Sequence, residues 1–162
     1  MKRFVRLLFF LSAVTAWLGA KPEYPSMGSD IYDPKAPAEK LITDAISQAK
    51  HEDKRVLLLF GANWCPWCRR LHMALTQVPA VQARLRQKFV LVFIDANTRN
   101  DKQRNAAVIE KYGNPLQYGL PVFVVLDRDG TQLTTRETAS LAADTDAQVA
   151  SRVLVFLNEW AN

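Results

Sequence analysis

Val56-Leu57-Leu58-Leu59-Phe60-Gly61-Ala62-Asn63-Trp64-Cys65-Pro66-Trp67-Cys68-Arg69 is the stretch that decides how this chain folds. Its first five residues are an unbroken apolar run, the pattern of a strand buried on both faces rather than one alternating between core and water. Residues 61–64 break the run, and Pro66 suits the first turn of a helix, where a missing backbone N–H costs nothing. The cysteines thus fall where a buried strand gives way to a helix. Unpaired N–H groups and the positive end of the helix dipole gather there. A free cysteine, with a pKa of about 8.5, is mostly protonated at neutral pH, so a nucleophilic cysteine needs such a place. Cys68 lies about one helical turn on, within reach of Cys65. The expected roles follow: Cys65 forms the mixed disulfide with a substrate, and Cys68, the more buried, resolves it.

Working outward, Leu41, Ile42, Ala45, Ile46 and Ala49 recur at helical spacing and predict an amphipathic helix from residue 39 to the polar cluster His51-Glu52-Asp53-Lys54. Beyond the cysteines the helix continues through Arg69, Leu71, His72 and Leu75 until Pro79, and a shorter one covers 80–87. Residues 89–94 are a second buried strand ending at Asp95, which reads as a turn former. Residues 101–112 look helical, closed by Gly113-Asn114-Pro115. Residues 121–126 are a third strand. The turn Asp127-Arg128-Asp129-Gly130 returns 131–136 antiparallel beside it, with Gly130 suited to a left-handed position. Val149, Val153, Phe156, Leu157 and Trp160 share a stripe on a terminal helix. Helices alternating with strands predict an α/β fold, a central mixed β-sheet with helices on both faces, forming one domain over residues 39–162.

At the other end, Lys2, Arg3 and Arg6 precede Leu7-Leu8-Phe9-Phe10-Leu11, and small residues follow to Ala20 with no acidic residue. That is the pattern of a signal peptide over residues 1–20. The fourteen residues from Leu7 to Ala20 fall short of the roughly twenty that span a bilayer as a helix. Cleavage after Ala20 fits, as does cleavage after Ala16 with Val14 at the third position back. The expected location is periplasmic or secreted, with the membrane involved only through an uncleaved signal. Residues 21–38, with Pro22, Pro25, Pro34 and Pro37, read as an extended surface lead-in.

Charge and cysteine count narrow the function. The formal charge is +5, and removing the three basic residues of the leader leaves +2. No Lys/Arg stripe interleaved with aromatics remains to suggest nucleic acid as a partner. Apolar residues make 49% and charged residues 23% of the chain, an ordinary globular balance. The only two cysteines close so short a loop that a bridge between them restrains little of the unfolded chain, which argues for chemistry over stapling.

The strand, the turn with Trp64 directly before the first cysteine, and the Cys-Pro-Trp-Cys helix together resemble the active site of thioredoxin-fold thiol:disulfide oxidoreductases. Tyr118-Gly119-Leu120-Pro121-Val122-Phe123-Val124-Val125-Leu126, followed by a hairpin and terminal helix, resembles that family's cis-proline strand. Both motifs in this order are far more specific than either alone, and the resemblance covers roughly residues 39 to 160. It implies a thioredoxin fold, a cis Leu120-Pro121 bond facing the cysteines, and a Leu120 backbone free to pair with an extended substrate. Cys65 and Cys68 would be the catalytic, redox-active pair, and Trp64, Pro66, Trp67, Leu120 and Pro121 the substrate-binding surface. The implied partners are proteins bearing disulfides or thiols and a second redox protein that recycles the pair. No metal or other cofactor is called for, and one chain would act as a monomer.

Two departures separate the chain from typical thioredoxins. The buried acid six residues before the first cysteine is replaced by Leu59, and the lysine on the next strand by Leu91. The central Pro-Trp replaces Gly-Pro and resembles the Pro-aromatic pairs of glutaredoxins and of oxidising exported enzymes. The reductive direction is preferred to the oxidative because no helical domain is inserted between Cys68 and Pro121. A dedicated isomerase would be expected to bring a dimerisation domain. The rival reading is a metal-binding or redox-inactive assembly factor on the same fold. Cys65, Cys68 and His72 have ligand-compatible spacing, but His51 is the only other histidine and is distant in sequence. Arg69 occupies the place of the histidine that haem attachment requires; it can share the helix face of Cys65 and add positive potential beside the thiolate, or equally be an ordinary exposed arginine.

Overall fold

A computed structural model describes residues 27–99 and 103–161; the expected signal peptide lies outside them. In chain order the elements are α1 (Ala38–Glu52), β1 (Arg55–Gly61), α2 (Pro66–Gln77), α3 (Pro79–Lys88), β2 (Phe89–Asp95), α4 (Ala106–Lys111), β3 (Val122–Leu126), β4 (Gln132–Glu137) and α5 (Asp146–Glu159). Short 3-10 turns occupy Pro115–Tyr118 and Ala139–Leu141.

The four strands make a mixed sheet in the order β2-β1-β3-β4. β1 is central, parallel to β2 with Leu59 opposite Phe93, and antiparallel to β3 with Leu59 opposite Phe123. Its side chains alternate between two apolar layers. Leu57 and Leu59 join Leu71 and Leu75 of α2, Val81 and Leu85 of α3, and Val153 and Leu157 of α5. Val56, Leu58 and Phe60 join Ile42 and Ala45 of α1 and Val108 and Ile109 of α4. Burial on both sides explains a run without polar alternation, each such side chain contributing about 1.5–3 kcal/mol. α5 begins with a capping box in which Thr145 Oγ1 accepts from Gln148 N–H and the Gln148 side chain accepts from Thr145 N–H.

Two sequence expectations are corrected. The helix expected over 101–112 begins at Ala106, because Asn105 sits at φ 53° in the left-handed region, which helix interiors exclude. That conformation lets Asn105 Nδ2 donate to the Asp95 carbonyl at 2.8 Å and Oδ1 accept from Ala38 N–H at 3.4 Å, joining β2 to α1. The lead-in, expected on the surface through residue 38, enters the core: Tyr32 is fully buried and Ala38 is already in α1. Gly61 makes room for it, since a Cβ there would lie 2.0 Å from Tyr32 Oη. Asn63 holds the segment in place, its Oδ1 accepting from Ile31 and Tyr32 N–H at 2.9 Å each and its Nδ2 donating to the Tyr32 carbonyl at 2.8 Å.

These contacts predict two losses of stability. Gly61→Ala forces the Tyr32 ring out of its seat and is expected to cost about 1–3 kcal/mol, seen as a lower urea midpoint with an unchanged m-value. Asn63→Ala removes all three clamping bonds and is expected to cost about 2 kcal/mol, with faster hydrogen exchange at the Ile31 and Tyr32 amides.

Candidate active site

Cys65 has extended backbone angles, φ −92° and ψ 113°, and caps α2: its Sγ accepts from Cys68 N–H at 3.2 Å. Pro66 follows at the first helical position and is exposed. The cysteines are disulfide-bonded, with Cα atoms 5.2 Å apart. Cys65 is 5% exposed and Cys68 0%, so of the two sulfur-bearing residues only the first touches solvent.

Facing the pair is the segment before β3. The Leu120-Pro121 bond is cis, and the Leu120 carbonyl oxygen lies 3.8 Å from Cys65 Sγ. Leu120 N–H has no hydrogen-bond partner among the described residues. The strand proper starts one residue later than expected, at Val122.

Both tryptophans beside the cysteines are half-buried, and each indole is tied down. Trp64 Nε1 donates to Asn97 Oδ1 at 2.8 Å, and the Arg99 guanidinium lies 3.5 Å from the Trp64 ring centroid. Trp67 Nε1 donates to Thr138 Oγ1 at 3.1 Å, and that hydroxyl donates to the Pro121 carbonyl at 2.5 Å. Arg70 lies 5.7 Å from the Trp67 ring and pairs with Asp146 at 2.6 Å, joining α2 to the start of α5.

Arg69, expected either to add positive potential beside the thiolate or to stand as an ordinary exposed arginine, is committed to backbone carbonyls. Its guanidinium donates to the carbonyls of Asn63 at 2.9 Å, Ser29 at 2.9 Å and Gly28 at 3.5 Å, so it binds the lead-in. His72 packs its ring 5.1 Å from that of Phe93, and burial, then the Arg69 charge, hold its pKa below the usual histidine value. Among the described residues no three His, Cys, Asp or Glu side chains converge as a metal set would.

Leu59, at the place of the family's buried acid, is fully buried in the same apolar layer as Cys65 and Cys68. The polar groups of this face lie further along the strands. Asp95, read from sequence as a turn former, is 4% exposed at the end of β2, opposite Gly61. Burial raises its carboxyl pKa against the opposing pull of the Asn97 backbone N–H and of Arg104, whose Nε is 3.5 Å away. Burial and then the Asp95 charge raise the pKa of the Tyr32 phenol, whose hydroxyl finds no hydrogen-bond partner among the described residues. Sequence reading missed Tyr32, Asn97 and Thr138; only the spacing of Asn97, two residues past the strand end, offered a signal.

Comparison with known proteins agrees with this geometry. Residues 42–149 match the family model described as a thioredoxin-like domain. The crystal structure of a disulphide isomerase from Xylella fastidiosa Temecula1 superposes with a TM-score of 0.70 at 28% identity, covering 82% of this chain and 97% of that one. A thioredoxin from Thermus thermophilus, with TM-score 0.52, 18% identity and coverage of 73% and 82%, shares the fold. The thiol:disulfide interchange protein DsbE of Escherichia coli strain K12 is 34% identical over 79 residues, 49% of this chain and 36% of the relative, so the match spans about a third of that protein's length. With residues 42–149 matched and the cysteine-capped helix set against a cis-proline strand, the chain belongs to the thioredoxin-like domain family.

Proposed function

We propose that this chain is an exported protein-disulfide oxidoreductase that exchanges its Cys65–Cys68 pair with disulfides and thiols of other proteins. The observation that carries the reading is Cys65 at the cap of α2, bonded to Cys68 and 3.8 Å from the Leu120 carbonyl. The bridged form is the oxidant. A substrate thiolate attacks Cys65 Sγ, breaking the internal bond and leaving a mixed disulfide, with Cys68 released as thiolate or, on taking a proton from water, thiol. A second substrate thiolate then attacks the substrate sulfur of that bond, so the substrate gains a disulfide and the pair two electrons. In the reductive direction Cys65 thiolate attacks a substrate disulfide and expels one substrate thiolate. Cys68 thiolate then attacks Cys65 Sγ, expels the other, and restores the bridge.

The helix end favours the Cys65 anion. Leu59 beneath the pair offers no ionisable group, so Cys68 exchanges its proton by way of water. Trp64, Pro66, Trp67, Leu120 and Pro121 form the substrate surface, with the unpaired Leu120 N–H and its carbonyl pairing with an extended segment. All electrons reside on sulfur, so the reaction calls for no metal or cofactor. A second redox protein returns the pair to its working state. The signal pattern in residues 1–20 and the likeness to a thiol:disulfide interchange protein support a periplasmic or otherwise extracytoplasmic setting.

Reduction is preferred to oxidation as the working direction, on the absence of an inserted helical domain before Pro121. Disulfide reshuffling is the second reading. The likeness to the Xylella fastidiosa disulphide isomerase, 97% of which this chain covers at 28% identity, favours it.

Reduction of insulin by dithiothreitol tests the proposal. The wild type should accelerate it, and Cys65→Ser should return the rate to that of dithiothreitol alone; equal rates for the two proteins reject the enzyme reading in favour of a redox-inactive assembly factor. Cys68→Ser separates net reduction from reshuffling. It should lose net insulin reduction and accumulate a mixed disulfide, and it retains reactivation of scrambled ribonuclease only if reshuffling is the working reaction.

A further inference from the structure

We propose that Thr138 is a positioning residue for the exchange, its hydroxyl fixing the Trp67 indole to the cis-proline strand so that the cleft beside Cys65 keeps one width. The inference rests on the oxidoreductase reading above. Antiparallel pairing sets Val122 opposite Glu137, which brings the next residues outward, Pro121 and Thr138, side by side. Thr138 is 1% exposed, and its hydroxyl both accepts and donates a hydrogen bond. It accepts from Trp67 Nε1 at 3.1 Å and donates to the Pro121 carbonyl at 2.5 Å.

The chain indole–hydroxyl–carbonyl therefore crosses from α2 to the strand that faces the sulfurs. It does two things. It occupies the Pro121 carbonyl, so that the backbone left for an incoming peptide is that of Leu120, whose N–H has no partner among the described residues and whose carbonyl lies 3.8 Å from Cys65 Sγ. It also stops the Trp67 ring from rotating about its side-chain torsions, which a half-buried indole without a partner would do. A ring held in place orients an extended protein segment that must touch both walls of the cleft. A small disulfide that reaches the sulfur from solvent needs neither wall. The tether thus sets discrimination between protein and small disulfides rather than the reactivity of the sulfur itself.

Thr138→Val keeps the shape and removes the hydroxyl, whereas Thr138→Ser keeps the hydroxyl. With insulin, kcat/KM of Thr138→Val should fall about tenfold, while exchange with oxidised glutathione stays within about twofold. Thr138→Ser should stay within about twofold of wild type on both. In 15N-labelled protein the Trp67 indole proton should exchange slowly with water in the wild type and fast in Thr138→Val. Thr138→Ala removes the hydroxyl without adding bulk and should show the same selective loss, which decides the matter if Thr138→Val does not fold. Wild-type kinetics with insulin in Thr138→Val, or equal losses on both disulfides not rescued by serine, overturn the proposal. A wild type no faster than Cys65→Ser on either disulfide rejects the oxidoreductase reading instead, and the indole exchange rates then report a tether without a catalytic consequence.

Discussion

A strand with helices on both sides can carry no polar side chain without stranding it from water, and β1 carries none from Val56 to Phe60. Everything near the sulfurs follows from that constraint. Because β1 is central, the turn after it emerges in the middle of one sheet end, and the helix it feeds starts there too. Because α2 must lay Leu71 and Leu75 on the same layer as Leu57 and Leu59, its first turn is held rigidly, and Cys65 is held with it. The strand that pairs with β1 on its other side, β3, delivers Leu120 and Pro121 to the same end. The sulfur, the helix end and the facing backbone are thus brought together by one apolar strand and its two neighbours.

The same layer determines where ionisable groups can stand. Leu59 leaves no acid directly beneath the cysteines, and the neighbouring position on β2 is Phe93, equally apolar. Polar chemistry on this face is displaced to the strand ends, where Asp95 meets Arg104 and the Tyr32 phenol fills the space above Gly61. The cysteine pair thus sits on an apolar floor with its ionisable neighbours at the edges. This separates it from the arrangement that the thioredoxin resemblance alone would have suggested.

Much of this was legible in the sequence because it rests on pattern. Runs of apolar residues marked three strands, periodic stripes marked α1 and α5, and the cysteine and proline motifs marked the two halves of the site in their correct order. What escaped depended on tertiary fit. Tyr32 sits in a proline-rich stretch with no periodicity, and its burial is written in a glycine 29 positions later. Asn105 begins α4 late because its side chain bridges β2 and α1, a contact no local window contains. Thr138 is one threonine among several near β4, distinguished only by lying beside Pro121 across the sheet. Arg69 is held by three backbone carbonyls, two of them in the lead-in, which no local window contains.

The clamps on the lead-in bracket the motif, with Asn63 two residues before Cys65 and Arg69 one residue after Cys68. Any shortening of the amino terminus therefore has an inner limit. Shortening that stops before Gly28 leaves every clamp intact, whereas trimming to the start of α1 would strip both residues of their lead-in partners and open the wall beside Gly61. The segment that looks like a disposable tether in the sequence is, in three dimensions, a fitted part of the end that carries the cysteines.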